Sequence, residues 1–244
     1  MKLLGRDIGH QHPIFLIAGP DTLESQELAM EVAGHIKELT DKLGILYVFK
    51  GSFDKANRTS HKSYRGPGIE GGLKIMENVK KQIGVPVLTD VHEDTPLGEV
   101  AQVIDVIQTP AFLCRQTNFM QNVARTGRPI NVKKGQFMSP WEMGNVIEKM
   151  TAVAEPNFML CERGFTFGYN NLVADMRGLA IMRKFAAVGA GVSGLFMETH
   201  PRPDEALCDG PNSLPLKMIG ELLETLVELD QVVKKSGLLE TQLS

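Results

Sequence analysis

Cysteine is scarce in this chain of 244 residues: Cys114, Cys161 and Cys208 are odd in number, far apart and without CxxC spacing. That excludes a disulfide framework and a thiolate zinc site, and it predicts a reducing, cytoplasmic setting. Aromatics make up only 6%, with a single tryptophan, too few for an aromatic-rich β-sandwich. No apolar run approaches the roughly 18 residues of a membrane span. The opening MKLLGRDIGHQHP lacks the apolar stretch of a signal peptide. Positive charge is not in excess either, since 26 Lys and Arg stand against 29 Asp and Glu. Nucleic acid and membrane are therefore not expected as partners, and any anionic ligand must be met by a local cluster. HExxH and EF-hand spacings are missing, so spacing alone implies no metal. Without a linker, repeat or low-complexity segment, one domain over 1–244 is expected, with a short N-terminal extension over 1–12.

Glycine and proline are plentiful instead, at 24 and 13 residues, as in chains that alternate short strands and helices across many tight loops. Apolar, β-branched runs predict seven strands, at Ile14–Ala18, Ile45–Phe49, Val85–Thr89, Val103–Gln108, Pro129–Val132, Phe158–Cys161 and Val192–Met197. Several are apolar at consecutive positions, the pattern of strands covered on both faces in a parallel sheet. Helical spacing predicts helices over Ser25–Leu43, Ile69–Ile83, Pro140–Met150, Leu172–Phe185 and Leu216–Lys235. The last carries Ile219, Leu222, Leu223, Leu226, Val227 and Leu229 on one stripe, suited to packing on the sheet.

Nearly every strand runs directly into charged or amide residues. Asp21 follows the first, Lys50 and Lys55 the second, Asp90 and His92 the third, and Gln108 and Arg115 the fourth. Lys133 and Lys134 follow the fifth, Glu162 and Arg163 the sixth, and Glu198 and His200 the last. A parallel barrel opens all its strand C-terminal ends onto one face, whereas a doubly wound sheet uses only the strands at its switch point. The polar ring therefore predicts an α/β protein of the (β/α)8 barrel class. Lys50, Lys55, Arg58, Arg65, Arg115, Lys133, Lys134 and Arg163 gather at that mouth in a net acidic chain, which implies one or two strongly anionic substrates. Asp21, Asp90, His92, Glu162, Glu198, His200 and Asp209 supply acid–base groups and metal-ligand atoms. Gly66, Gly68 and Gly71 satisfy G-x-G-x-x-G, but a polar loop separates them from the preceding strand. They are expected to form a loop-to-helix turn, not a dinucleotide site.

The strings IAGPDTLES, VFKGSFDKANRTS, LTDVHE, IQTPAFLCRQT, INVKKGQF, LCERGFTFGYNNLVADM, LFMETHP and ALCDGPNSLPL, in this order, resemble the 3-deoxy-D-manno-octulosonate-8-phosphate synthase family over nearly the whole chain. The resemblance implies a homotetrameric (β/α)8 barrel and a transferase of lipopolysaccharide (Kdo) biosynthesis. Such an enzyme condenses phosphoenolpyruvate with D-arabinose 5-phosphate and water and releases phosphate. It further implies that Lys55, Lys133 and Arg163 hold phosphoenolpyruvate with Gln108 and Asp90 nearby, and that Asn57, Arg58 and Thr59 hold the sugar phosphate. Arg115 is expected to reach a neighbouring subunit's site. Lys55, Asp21, Lys133 and His92 are the expected catalytic residues. A sibling synthase using another aldose, or a non-catalytic phosphosugar-binding barrel, are the competing readings.

Two departures from the family stand out. Asp21 occupies a position where relatives carry Cys as a metal ligand or Asn without metal, so the cofactor is either absent or a divalent ion (Fe, Zn, Mn or Co) held by Asp21, Glu198 and Asp209. The second is length. About one β-loop-α unit, roughly 30 residues, is missing near Phe185–Val188, where AAVGAG is too short to hold another strand, loop and helix. A true deletion is expected to open two strand edges and to leave little or no activity. Intact mass decides whether the protein itself lacks the unit: 26.8 kDa marks a deletion, a few kilodaltons more an omission.

Overall fold

The computed structural model describes residues 1–188 and 193–236. A two-stranded hairpin, β1 (Lys2–Leu3) and β2 (Arg6–Asp7), precedes an alternation of strands and helices. These are β3 (Phe15–Gly19), α1 (Gln26–Leu43), β4 (Tyr47–Lys50), α2 (Gly68–Ile83), β5 (Val87–Asp90), α3 (Leu97–Val103), β6 (Val106–Thr109), α4 (Thr117–Ala124) and β7 (Ile130–Lys133). There follow α5 (Glu142–Thr151), β8 (Phe158–Cys161), α6 (Arg177–Met182), β9 (Ala187–Val188), β10 (Gly194–His200), β11 (Leu214–Pro215) and α7 (Ile219–Ser236). Strands β3 to β10 lie side by side in parallel, with β10 against β3, and β11 pairs in parallel beside the C-terminal end of β10.

The inward and outward sides of each strand are written in its alternation. Phe15, Ile17, Val48, Leu88, Val106 and Met159 form an inner cluster, closed from below by Leu3 and Ile8. Leu16, Phe49, Val87, Ile107, Ile130 and Leu160 face the helices and join the larger outer core. Both faces of the sheet are thus apolar until the strand ends, where the inward register delivers polar side chains. Gly19, the last residue of β3, has no room for a side chain, since a Cβ there would lie 1.9 Å from the Lys50 carbonyl oxygen.

Helix boundaries follow local chemistry where the sequence supplies it. Ser25 caps α1, its hydroxyl accepting from the Leu28 amide at 3.1 Å, and Gly44 ends it at φ +69°. Gly66 and Gly68 adopt φ of +124° and +79° at the entry to α2, the loop-to-helix turn that was expected. Elsewhere the expectations need correction. The helix expected over Leu172–Phe185 is confined to α6, because the preceding segment is a loop pinned by paired Phe165 and Val173 amides and carbonyls. Leu229, placed on the packing stripe of α7, is 55% exposed because it lies off the buried face, which continues through Asp230, whose carboxylate accepts from the Ile14 amide at 3.2 Å. Helices α3 and α4 lacked a sequence signal long enough to register.

An eighth barrel strand exists where only seven were expected. Its two residues, Ala187 and Val188, pair with Met159 and Leu160, so the exposed edge of β8 recruits even a very short segment. The expected start of the last strand at Val192 lies outside the described residues. Among the described residues β9 and β10 do not pair, so the strand order is linear and the eight parallel strands form an open half-barrel. On the open side lies a largely apolar cavity of about 420 Å3, bordered by Phe15, Ile17, Met159, Leu172, Met176 and Phe196. No helix among the described residues is long and apolar enough to cross a membrane.

Candidate active site at the barrel mouth

Above the inner apolar layer, the same alternation carries Lys50, Asp90, Gln108, Lys133 and Glu198 to the strand ends. Adjacent strands hold Asp90 opposite Gln108 and Gln108 opposite Asn131, whose amide donates to the Gln108 side chain at 2.8 Å. Loops after the strands complete a cavity of about 430 Å3. Its walls include Asp21, Lys55, Asn57, Arg58, Thr59, Asp90, Gln108, Lys133, Arg163, Glu198 and Asp209. Two expected residues lie elsewhere. Arg115 is 65% exposed and pairs with Glu142 at 3.7 Å, and His92 is buried behind Asp90, its Nε2 3.5 Å from a carboxylate oxygen. Arg65, grouped with the mouth cations, turns outward to Asp54.

Charge in the floor is tightly compensated. Lys50 is wholly buried and donates to the Asp21 carbonyl at 2.7 Å and to Glu198 at 3.1 Å, while Lys55 pairs with Asp21. Burial opposes ionisation of Asp21, yet Lys50 and Lys55 outweigh it and hold the carboxyl well below the usual range. Asp90 is lowered against the same burial penalty by Lys55, Lys50 and His92. Burial also acts against a charged Lys50, but Glu198, Asp21 and Asp90 raise its value above that of a free lysine.

Lys133 behaves differently. Its ammonium sits 4.2 Å from the Phe196 ring centre, and burial, only partly countered by Glu198 and further driven by Lys50, lowers its pKa from 10.5. A lowered lysine loses its proton, and with it its hold on an anion, as pH rises through the lowered value. Anion binding at the mouth is therefore expected to weaken on an alkaline limb centred below pH 10.5, and Lys133→Arg should move that limb upward. Titrating phosphoenolpyruvate affinity against pH in both proteins checks this.

Residues outside the expected set complete the mouth. Lys50 was grouped with the mouth cations but given no role, although its inward register beside Val48 was readable. Gln136, Ser60 and Ser63 line the cavity from loops without a readable period. Cys208 resembles core by burial, yet it stands beside Arg58 and with Asp21 and Asp209 forms a trio whose ligand atoms lie within 4.8 Å of one another. Asp209 holds its place there in a left-handed backbone conformation, φ +46°. Glu198, expected as the third ligand, instead pairs with Lys50. Asp21 Oδ2 is buried without a hydrogen-bond partner and is open to a ligand. The carboxylate, thiol and carboxylate fit a borderline divalent ion with solvent filling its remaining positions.

The profile of the DAHP synthetase I family matches residues 5–189, ending where the barrel opens. A 2-dehydro-3-deoxyphosphooctonate aldolase of Alkalilimnicola ehrlichii is 56% identical over 274 residues, covering 98% of this chain and 99% of that protein. The aldolase of the same name from Thioalkalivibrio sulfidiphilus is 55% identical over 276 residues, with 99% of each chain covered. One from Coxiella burnetii is 54% identical over 274 residues, with 98% of each covered. An alignment of 274 positions against a chain of 244 residues leaves at least 30 positions of the relative without a counterpart here. That is the size of one strand–loop–helix unit. The chain belongs to the DAHP synthetase I family and, within it, to the 2-dehydro-3-deoxyphosphooctonate aldolases, the octulosonate-phosphate synthases.

Proposed function

We propose that the mouth condenses phosphoenolpyruvate with D-arabinose 5-phosphate and water, giving 3-deoxy-D-manno-octulosonate 8-phosphate and inorganic phosphate, a step toward the Kdo sugar of lipopolysaccharide. The observation that carries this is the convergence of Lys55, Lys133, Arg163 and Arg58 on one cavity whose floor is already charge-balanced. Two phosphorylated substrates bring several negative charges together, and preorganised cations offset their repulsion without reorganisation. In this reading Lys55, Lys133 and Arg163 hold the phosphate and carboxylate of phosphoenolpyruvate. Asn57, Arg58 and Thr59 hold the sugar phosphate. C3 of the enolpyruvate then attacks the aldehyde carbon, water adds at C2, and the hemiketal phosphate loses phosphate by C–O cleavage. Asp90, with His92 behind it, holds a proton acceptor at the cavity wall.

A divalent ion at Asp21, Cys208 and Asp209 would supply a positive charge to polarise a substrate oxygen or an attacking water. Burial and the Asp21 carboxylate push the free Cys208 thiol up to about 12, so it becomes a good ligand only when a metal displaces its proton. Cobalt(II) is expected to produce a sulfur-to-metal absorption band that Cys208→Ala abolishes. A band of equal strength in the variant would remove Cys208 from the ligand set.

Assembly as a cytoplasmic homotetramer, with Arg115 entering a neighbour's mouth, belongs to the same proposal. The three free cysteines fit that compartment. Phosphate release measured with arabinose 5-phosphate, erythrose 4-phosphate and an N-acyl-mannosamine tests the substrate. Release with the first alone supports this reading, and preference for either of the others replaces it with a sibling synthase.

A further inference from the structure

Lys134 is fully buried and, like Lys50, does not line the catalytic cavity, but most of its partners are backbone carbonyls of loops instead of catalytic carboxylates. A buried ammonium is strongly disfavoured unless its protons are met, so a lysine here needs a task that methionine could not perform. Its Nζ donates to the carbonyl oxygens of Gly135 at 3.2 Å, Met138 at 3.4 Å and Gly164 at 3.0 Å. It also lies 3.3 Å from Glu162 Oε1 and 3.7 Å from the Phe165 ring centre. Glu162 Oε1 in turn accepts from the amides of Arg163 at 2.9 Å and Gly164 at 2.7 Å. Two backbone bonds reinforce the join, from the Lys134 amide to the Cys161 carbonyl at 2.9 Å and from the Thr166 amide to the Gln136 carbonyl at 3.2 Å.

The partners lie on two loops, one leaving β7 and one leaving β8. The first carries Gln136, directly after Lys133, and the second carries Arg163. All three side chains line the mouth. We infer that Lys134 and Glu162 form a clamp that fixes the relative placement of these two loops and so sets the geometry with which Lys133 and Arg163 grip one anion. Lys134 is a positioning residue, since it faces away from the substrate cavity. The inference deepens the proposed function and rests on its assignment of phosphoenolpyruvate to Lys133 and Arg163. Among the described residues, the loop carrying Asn57, Arg58 and Thr59 makes no hydrogen bond or ion pair to the clamp, so the second substrate should be insensitive to it.

The test is equilibrium binding of phosphoenolpyruvate and, separately, arabinose 5-phosphate to the full chain and to Lys134→Met, with hydrogen exchange of both proteins. Phosphoenolpyruvate affinity is expected to fall at least tenfold and arabinose 5-phosphate affinity to stay within twofold. Exchange should speed up at the amides of Arg163 and Gly164 while those of α1 keep their protection. Glu162→Gln, which keeps the accepting oxygen but removes the charge, should shift affinity in the same direction by a smaller factor. It serves as the readout if the methionine variant fails to fold. Equal weakening of both substrates, or unchanged exchange at Arg163 and Gly164, overturns the clamp. If the unaltered chain binds no phosphoenolpyruvate while those amides still respond to the substitution, the clamp stands and the functional reading falls.

Discussion

Lys133→Met is expected to cut phosphate release by at least about a thousandfold while leaving the fold intact. Lys133 projects from the last position of β7 into the cavity, above the inner apolar layer and against the Phe196 ring. Methionine matches its length and apolar stem, so packing survives and only the charge is lost. Removing one preorganised donor from a developing anion typically costs about 10²–10³ in rate. Here the lost group is a full cation shielded from water, where each interaction is stronger than at the surface. Steady-state kinetics with circular dichroism as a control check this. A variant with more than a tenth of the parent's rate would place Lys133 outside the reacting centre.

Restoring the missing unit should have the other large effect. Inserting a strand–loop–helix unit of roughly 30 residues near Phe185–Val188, where the sequence is too short to hold one, is expected to raise the melting temperature by about 6–12 °C and to increase turnover. Leu172 and Met176, at the border of the open side, are 60% and 68% exposed. Covering them contributes about 1–2 kcal/mol each. Closing the gap also pairs the backbone of β10 from Gly194 to Glu198, which among the described residues bonds to β3 alone over that stretch. The sum of about 3 kcal/mol gives the stated shift for a chain of this size. An unchanged melting temperature would mean that the opening is already sealed in solution.

The barrel was legible because a parallel sheet buried on both faces writes itself as consecutive apolar residues ending in polar ones, as at Val48–Phe49–Lys50 and Leu88–Thr89–Asp90. Ser25 and Gly44 bounded α1 because capping chemistry is local. What failed depended on partners distant in sequence. Leu172, Val173 and Met176 have helical spacing, but the segment forms a loop because Val173 exchanges backbone hydrogen bonds with Phe165. β9 was unreadable because its two residues owe their conformation to the unpaired edge of β8. At the mouth, the cations are readable from their place behind strands, whereas nothing in the spacing of Cys208 points to a ligand role and only the fold brings it to Asp21 and Asp209. Lys134 and Lys133 are neighbours in sequence with opposite registers. Only the fold separates the residue that lines the cavity from the residue that braces it.

The central claim is that the mouth assembled by this 244-residue chain brings phosphoenolpyruvate and arabinose 5-phosphate to reaction even with the barrel open, against the expectation that a true deletion leaves little or no activity, because Lys55, Arg58, Lys133 and Arg163 already meet on one cavity. The direct measurement is phosphate release by protein whose intact mass is verified as 26.8 kDa, with the two substrates together and each alone. The expected result is release that requires both substrates, slower than in the closed-barrel insertion variant and abolished by Lys133→Met. No release above the blank from protein of that mass would contradict the claim and leave the open barrel as a binding protein.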